Sequence, residues 1–303
     1  MFPFLDLKIL KIPMYGLCIA FGVILAGLIG YFLSKYRKKN FLDFIIISAV
    51  ILGFGFIFAK LFFIIVTYPI KDFFMILGAL IKGKNNEVKT GGFVFYGGVI
   101  GGILGYFIGV KIAQCKITDF IDIFAVLIPF IHGFGRIGCF CAGCCYGIPY
   151  EGPFSVVYKT PLSSVPTGVG IFPVQLLEAL LLFILFIVLL ILFLKNKKFL
   201  FFIYLIVYGL IRFFLEFLRF DFERGFILGL SVSQFISIIL IFSSIVTLLF
   251  LSKKTVPLKV VVTNGGLRDG TCSFVDKTAT RGRYGGEHPP PLERVARNPW
   301  VRA

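Results

Sequence analysis

The long apolar stretches of this chain lack the apolar–polar alternation that the strands of a membrane β-barrel need, which excludes that architecture. The N-terminus lacks a basic n-region and a small-residue cleavage site, so no cleavable signal peptide is expected. No basic surface interleaved with aromatic side chains is present, so the net charge of +16 does not point to nucleic acid. In a chain this apolar, it points to loops beside anionic lipid. The seven cysteines do not form the framework of a small secreted domain, because four of them, Cys139, Cys141, Cys144 and Cys145, crowd into one short stretch. Histidine is scarce, with two in the chain, and the one tryptophan, Trp300, lies near the C-terminal end.

What is present is hydrophobic length. Of 303 residues, 58% are hydrophobic, against about 45–50% in an ordinary globular protein. Repeated runs of membrane length predict an all-α polytopic membrane protein. Seven spans are expected, near 14–33, 44–67, 92–112, 120–140, 173–194, 199–219 and 230–252. Basic clusters follow the first span (Lys35, Arg37, Lys38, Lys39), the fifth (Lys195, Lys197, Lys198) and the seventh (Lys253, Lys254). They share one side if the N-terminus is outside and the C-terminus cytoplasmic. Lys71, Lys82, Lys84 and Lys89 in the 68–91 connection then lie outside, beside a Phe73–Leu77 run that can lie flat at the interface. Asp122, Pro129 and His132 interrupt the fourth span, which is expected to break near Pro129 into a shorter helix lining a cavity. Residues 1–254 read as one transmembrane domain with an irregular external head at about 141–172. From Thr255 the apolar pattern stops and Gly, Arg and Pro dominate. The segment 255–303 reads as a solvated, unfolded tail, either native or foreign to the natural chain.

Polar groups inside such a chain mark function or structural pairing. Arg136 sits among glycines in Gly133-Phe134-Gly135-Arg136-Ile137-Gly138. Its guanidinium suits a forked grip on a phosphate headgroup, and the bland alternative is an arginine reaching out from a span end. Arg212, Glu216 and Arg219 are spaced to share one helix face, as an anion-binding groove or as a structural ion pair. Gln175 and Glu178 open the fifth span on a common face, where Glu178 can simply complement the helix dipole. His132 is a candidate base or a core histidine. Tyr96 heads a glycine-rich span whose Gly97 and Gly98 suit close helix packing. The four clustered cysteines offer soft ligands for zinc or copper(I), a redox thiol, or small residues in a tight turn. Their spacing is not that of a zinc knuckle.

Five motifs in order resemble the phosphatidylglycerol–prolipoprotein diacylglyceryl transferase family over about residues 10–252. They are Met14-Tyr15-Gly16, Ala59-Lys60-Leu61, Gly135-Arg136-Ile137-Gly138-x-Phe140 with Gly143 and Gly147, Pro173-Val174-Gln175-Leu176-Leu177-Glu178, and Arg212-x3-Glu216-x2-Arg219. The chain departs from the family pattern at Cys139, Ala142 and Cys144, where the family has Asn, Asn and Glu, and at Tyr96, where it has His. It resembles a divergent, cysteine-rich branch. The resemblance implies a multi-pass enzyme of the bacterial cytoplasmic membrane, with phosphatidylglycerol and prolipoprotein signal peptides as partners and no cofactor or metal. The diacylglyceryl group would pass to the lipobox cysteine thiol and glycerol phosphate would leave. The catalytic candidates are Arg136 and Arg212 for the phosphate, Tyr96 at the place of the family's His, and His132 or Glu216 as alternative bases in its stead. Arg136, Tyr15, Gly97, Gly98, Gly147, Gln175, Glu178 and Arg219 are the candidates for substrate binding. Two readings of other classes remain: a thiol or metal protein using Cys139, Cys141, Cys144 and Cys145, and a non-catalytic binder of anionic lipid or signal peptide.

Overall fold

A computed structural model describes residues 4–6, 11–69, 71, 73–81, 93–159, 165–220, 226–227 and 229–254. The chain divides into two units, Met1–Val256 and Pro257–Ala303. The second, with Cys272, Trp300 and most of the expected tail, lies outside the described residues.

Two short strands, β1 (Phe4–Asp6) and β2 (Lys11–Pro13), pair antiparallel and lead into α1 (Met14–Tyr36). Then come α2 (Phe41–Thr67), the short α3 (Phe73–Ile81), α4 (Phe95–Ile112) and α5 (Ile117–Ala142). The head carries β3 (Val156–Val157) paired with β4 (Gly170–Ile171). It is followed by α6 (Val174–Leu194) and α7 (Leu200–Leu215). A last hairpin, β5 (Phe226–Ile227) with β6 (Leu230–Ser231), precedes α8 (Val232–Lys254). Seven of these helices are long and apolar enough to cross a membrane. At about 1.5 Å per residue, the 21 residues of α6 reach across a hydrocarbon layer of about 30 Å.

The core lies around α5. Ile123, Ala125 and Val126 are buried with Leu185 and Leu189 of α6, Leu200 of α7 and Ala26 of α1. The outer faces are apolar too: Phe21, Ile24 and Leu28 on α1 and Ile184, Ile187 and Ile191 on α6 are exposed. A stripe that is apolar both inward and outward suits lipid as the surrounding solvent. Helices α2 and α4 meet through a glycine ridge at Gly97, Gly101, Gly105 and Gly109. A Cβ on Gly101 would strike the Phe54 carbonyl, and one on Gly105 would stand 2.9 Å from the Ile51 Cα. In α3, Ile76 is buried beside Ile64 while Phe74 and Met75 are exposed. Helix α3 thus forms from the run read as interfacial; Lys82, Lys84 and Lys89 lie outside the described residues.

One end of the bundle is tied by polar contacts. Lys39 Nζ meets Asp119 Oδ1 at 2.6 Å, and the Tyr36 hydroxyl donates to the Leu194 carbonyl at 2.8 Å. Asp122 Oδ1 accepts from the Leu200 amide at 3.1 Å, capping the start of α7. The basic loops after α1 and α6 therefore meet at the same end.

The expected break at Pro129 does not occur. Helix α5 runs through 26 residues with Pro129 inside it and buried. Proline removes one amide donor and crowds the carbonyl four residues back. That residue is Ala125, fully buried against the core, and packing on neighbouring helices holds the turn, as it does for prolines in other membrane helices.

Candidate active site

Most of the candidate side chains gather at the end of the bundle opposite that tied end, where α5 stops and α6 begins. Arg136 lies six residues before the end of α5, and Glu178 a little over one turn into α6. Arg136 Nη2 meets Glu178 Oε1 at 2.9 Å, with the carboxylate only 1% exposed. Such a buried pair holds only because each charge offsets the other. Glu178 is therefore the partner of Arg136 as well as a residue near a helix N-terminus. His132, one turn before Arg136, places Nε2 4.0 Å from the same Glu178 oxygen. Its ring lies between Phe95 of α4, 6.3 Å away, and Tyr208 of α7, 5.2 Å away.

The second guanidinium comes from α7. Arg212 Nη2 meets Glu216 Oε2 at 2.6 Å and donates to Ser233 Oγ of α8 at 2.9 Å. The Tyr208 hydroxyl feels the charges of Glu178, Arg136 and Arg212 together, so it marks where the two arginine systems come close. Both guanidinium groups keep a buried nitrogen, Arg136 Nε and Arg212 Nη1, for which no described residue supplies a hydrogen-bond acceptor. Two cations with unfilled donors near one tyrosine have the chemistry to take up an anion with several oxygens.

Arg219 does not continue the helical stripe with Arg212 and Glu216. The chain tightens into a 3-10 turn over Glu216–Leu218, and Arg219 is extended, at φ −99° and ψ 147°. There it forms a bridge to Gly147 of the head, and the Ile148 amide donates to the Leu218 carbonyl at 3.1 Å. Gly147 is pressed between backbones: a Cβ would stand 2.5 Å from the Phe172 carbonyl oxygen. Gln175, 1% exposed, fastens the head from below, donating to the Cys144 carbonyl at 2.8 Å. The hydroxyl of Tyr158, a residue of the head, donates to the Phe140 carbonyl at 3.4 Å. Burial pushes that phenol up to about 12.

Tyr15 packs on Gly138, where a Cβ would stand 3.0 Å from the tyrosine ring, and it lies among Cys139, Cys144, Cys145 and Arg136. Tyr96 is half-exposed and touches Phe95 at 5.9 Å, one ring away from His132. Gly97 faces α2, where a Cβ would meet the Phe58 carbonyl at 2.6 Å, while Gly98 has ordinary clearance.

The end of α5 shapes the cysteines. Gly143 is left-handed at φ 76°, the Gly143 amide donates to Phe140 and the Cys144 amide donates to Cys139, the double bond of a Schellman close. Cys145 follows with φ 57°, a conformation costing about 1–2 kcal/mol for a side chain with a Cβ. The turn folds the chain back, and the sulfurs of Cys139, Cys144 and Cys145 all lie within 4.8 Å of one another. The six described cysteines carry no disulfide. Hydrogen bonds from Cys139 and Cys144, with the charges of Arg219 and Arg136, hold the Cys145 thiol well below the ordinary range. Although its hydrogen bond with Cys139 works the other way, Cys144 is pushed up to about 11 by its hydrogen bond with Cys145 and by burial. Cys141 is apart from the trio, against Cys18.

Sequence reasoning missed Tyr208 and Ser233. Tyr204, Tyr208, Arg212 and Glu216 repeat every four residues, a stripe that a reading of the span by helix face would have exposed. Ser233 reaches Arg212 from another helix, and no local pattern announces it.

A family model described as prolipoprotein diacylglyceryl transferase matches residues 3–250. The phosphatidylglycerol–prolipoprotein diacylglyceryl transferase of Clostridium tetani is 34% identical over 233 residues, which cover 76% of this chain and 89% of that protein. A Clostridium perfringens relative named phosphatidylglycerol–prolipoprotein diacylglyceryl transferase 2 is 33% identical over 78% of this chain and 90% of its own length. A Clostridioides difficile relative named phosphatidylglycerol–prolipoprotein diacylglyceryl transferase is 30% identical over 81% and 93%.

Proposed function

The chain belongs to the prolipoprotein diacylglyceryl transferase family, and from that membership we propose that it moves the diacylglyceryl group of phosphatidylglycerol onto the lipobox cysteine of prolipoproteins in the bacterial cytoplasmic membrane. The observation that carries this reading is the pair of guanidinium groups, on separate helices, that keep unfilled buried donors around Glu178 and Tyr208. The lipid phosphate is an anion whose oxygens can fill them. In the reaction the lipobox sulfur attacks the glyceryl carbon, a C–S bond forms, and the C–O bond to phosphate breaks. Glycerol phosphate leaves with that electron pair and one more negative charge than the diester carried. Arg136 and Arg212 oppose the added charge where water is scarce, so their effect grows toward the transition state.

The thiol must lose its proton first. Glu216 is held by Arg212 at 2.6 Å, and Tyr96 packs on Phe95. His132, against Glu178, is the side chain left to accept the proton, directly or through water. Tyr15, Gln175 and the Gly147–Arg219 bridge shape the head around the entering signal peptide.

The test is transfer by purified protein in phosphatidylglycerol vesicles with a lipobox peptide, followed by mass spectrometry of the peptide and assay of glycerol phosphate. Arg136→Ala is expected to slow transfer by about 100-fold or more, the loss typical of one charge-stabilising donor. Full rate in that variant removes the phosphate grip. Saturable lipid binding with no glycerol phosphate released would make the chain a binder instead of an enzyme.

A further inference from the structure

The transfer chemistry alone does not account for the three sulfurs at the end of α5. The geometry points to a zinc site held by Cys139, Cys144 and Cys145, with its fourth position open to the lipobox thiol. This rests on the transferase reading for its substrate, though the metal site can be tested without it.

The first support is distance. Thiolates around tetrahedral zinc, at about 2.3 Å from the metal, sit about 3.8 Å from one another. Here all three sulfurs lie within 4.8 Å before any ion draws them in. The second is the backbone. Adjacent cysteines ordinarily point apart, but Cys145 is left-handed at φ 57°, two residues after the left-handed Gly143, and this brings its sulfur back toward that of Cys139. The turn is held from outside: Gln175 donates to the Cys144 carbonyl at 2.8 Å, and the Cys144 amide and thiol both reach the Cys139 carbonyl. A ligand set fixed by its surroundings loses little freedom on binding metal.

Charge selects the metal. Three thiolates around zinc leave one negative charge, and Arg136 and Arg219 both act on this cluster. Zinc with three protein ligands keeps a fourth position for a reactant. Copper(I) is satisfied by three sulfurs and would leave no place for a substrate. A thiol bound to zinc is deprotonated outright. In the step that follows, the lipobox thiol binds zinc and its proton passes through water to His132. The bound sulfur then forms the C–S bond to the glyceryl carbon, the C–O bond to phosphate breaks, and glycerol phosphate departs. Zinc does not change oxidation state and no other reactant is consumed. The trio stands beside Tyr15 and Arg136, so the sulfur and the anion site share one end of the bundle.

The experiment uses the full chain in detergent, stripped by a chelator and refilled with zinc alone. The expected result is about one zinc per chain, lost in Cys144→Ser and in Cys145→Ser and kept in Cys141→Ser, whose sulfur lies against Cys18. Cobalt(II) in place of zinc is expected to show a thiolate charge-transfer band that strengthens with a lipobox peptide and not with its Cys→Ser version. Stripping is expected to slow transfer by at least about ten-fold, since a free thiol of pKa about 8.5 is only about 3% thiolate at pH 7, and zinc should restore it. Zinc retained by both serine variants, copper(I) in its place, a disulfide within the trio, or full transfer by metal-free protein overturns the site while leaving the transferase reading intact. Zinc binding and a thiol-responsive cobalt band without glycerol phosphate release would sink the transferase reading and leave the site standing.

Discussion

At the scale of single residues, the Arg136–Glu178 pair is expected to govern stability and, if Arg136 grips a headgroup, binding as well. Glu178 is 1% exposed and its oxygen lies 2.9 Å from Arg136 Nη2. Glu178→Gln keeps the shape and removes the charge, leaving a buried cation short of its counter-ion. Breaking such a pair costs roughly 3–5 kcal/mol, so the variant is expected to melt well below the parent in neutral detergent. An anionic lipid can return part of the missing charge. Phosphatidylglycerol should therefore raise the melting temperature of Glu178→Gln more than that of the parent, while phosphatidylcholine should raise both equally. Equal shifts with the two lipids would show that no net negative headgroup charge is felt at Arg136. Arg136 was legible in sequence because an arginine between glycines in an apolar run has few bland explanations. Its pairing with Glu178 was not, because the partners lie on different helices and charge pairing across a bundle has no sequence period. The cysteine trio stood between these cases: its crowding was plain, but the left-handed turn that selects Cys139, Cys144 and Cys145 and sets Cys141 apart was not.

Among the elements, the helices were the legible part. Each crossing must bury its backbone polar groups within its own segment, so every span is announced by its own apolar run, and the observed helices start and stop within a few residues of expectation. Expectation failed where tertiary contacts overrule local rules, at Pro129 inside α5 and at Arg219, which leaves the helix to join the head. The glycine ridge of α4 shows what packing demands. A Cβ on Gly101 would strike the Phe54 carbonyl, which is backbone and cannot rotate away, whereas one on Gly102 meets only Ile51 Cγ2 at 3.9 Å. Gly101→Ala is thus expected to destabilise the α2–α4 pair by roughly 1–3 kcal/mol, the usual cost of overpacking. Gly102→Ala should be neutral or gain up to about 1 kcal/mol from helix propensity. Thermal unfolding of the two variants in one detergent separates packing from propensity. Equal melting temperatures would mean that α2 and α4 do not meet on the Gly101 face.

For the whole molecule, the two ends of the bundle carry different chemistry, and that asymmetry predicts how the protein lies in its membrane. Lys35, Arg37, Lys38 and Lys39 follow α1, and Lys195, Lys197 and Lys198 follow α6. Both loops meet at the end fastened by Lys39–Asp119 and Tyr36–Leu194. The arginine cluster, the cysteine trio and the head occupy the other end. Basic residues in short loops are retained on the cytoplasmic side, so the site end is expected to face outward. The lysines near residues 71–89 oppose this arrangement, but they follow the second span and are spread along a longer connection, whereas the loop after α1 is short and dense. First-span charge usually dominates. A phosphatase that is active only outside the membrane is therefore expected to be active when joined after Lys159 and inactive when joined after Asn196 or Lys254. Activity after Asn196 and silence after Lys159 would turn the protein over. The head and its thiols would then open to the cytoplasm, and a lipobox cysteine would have to meet Arg136 and Arg212 before its signal peptide had crossed the membrane.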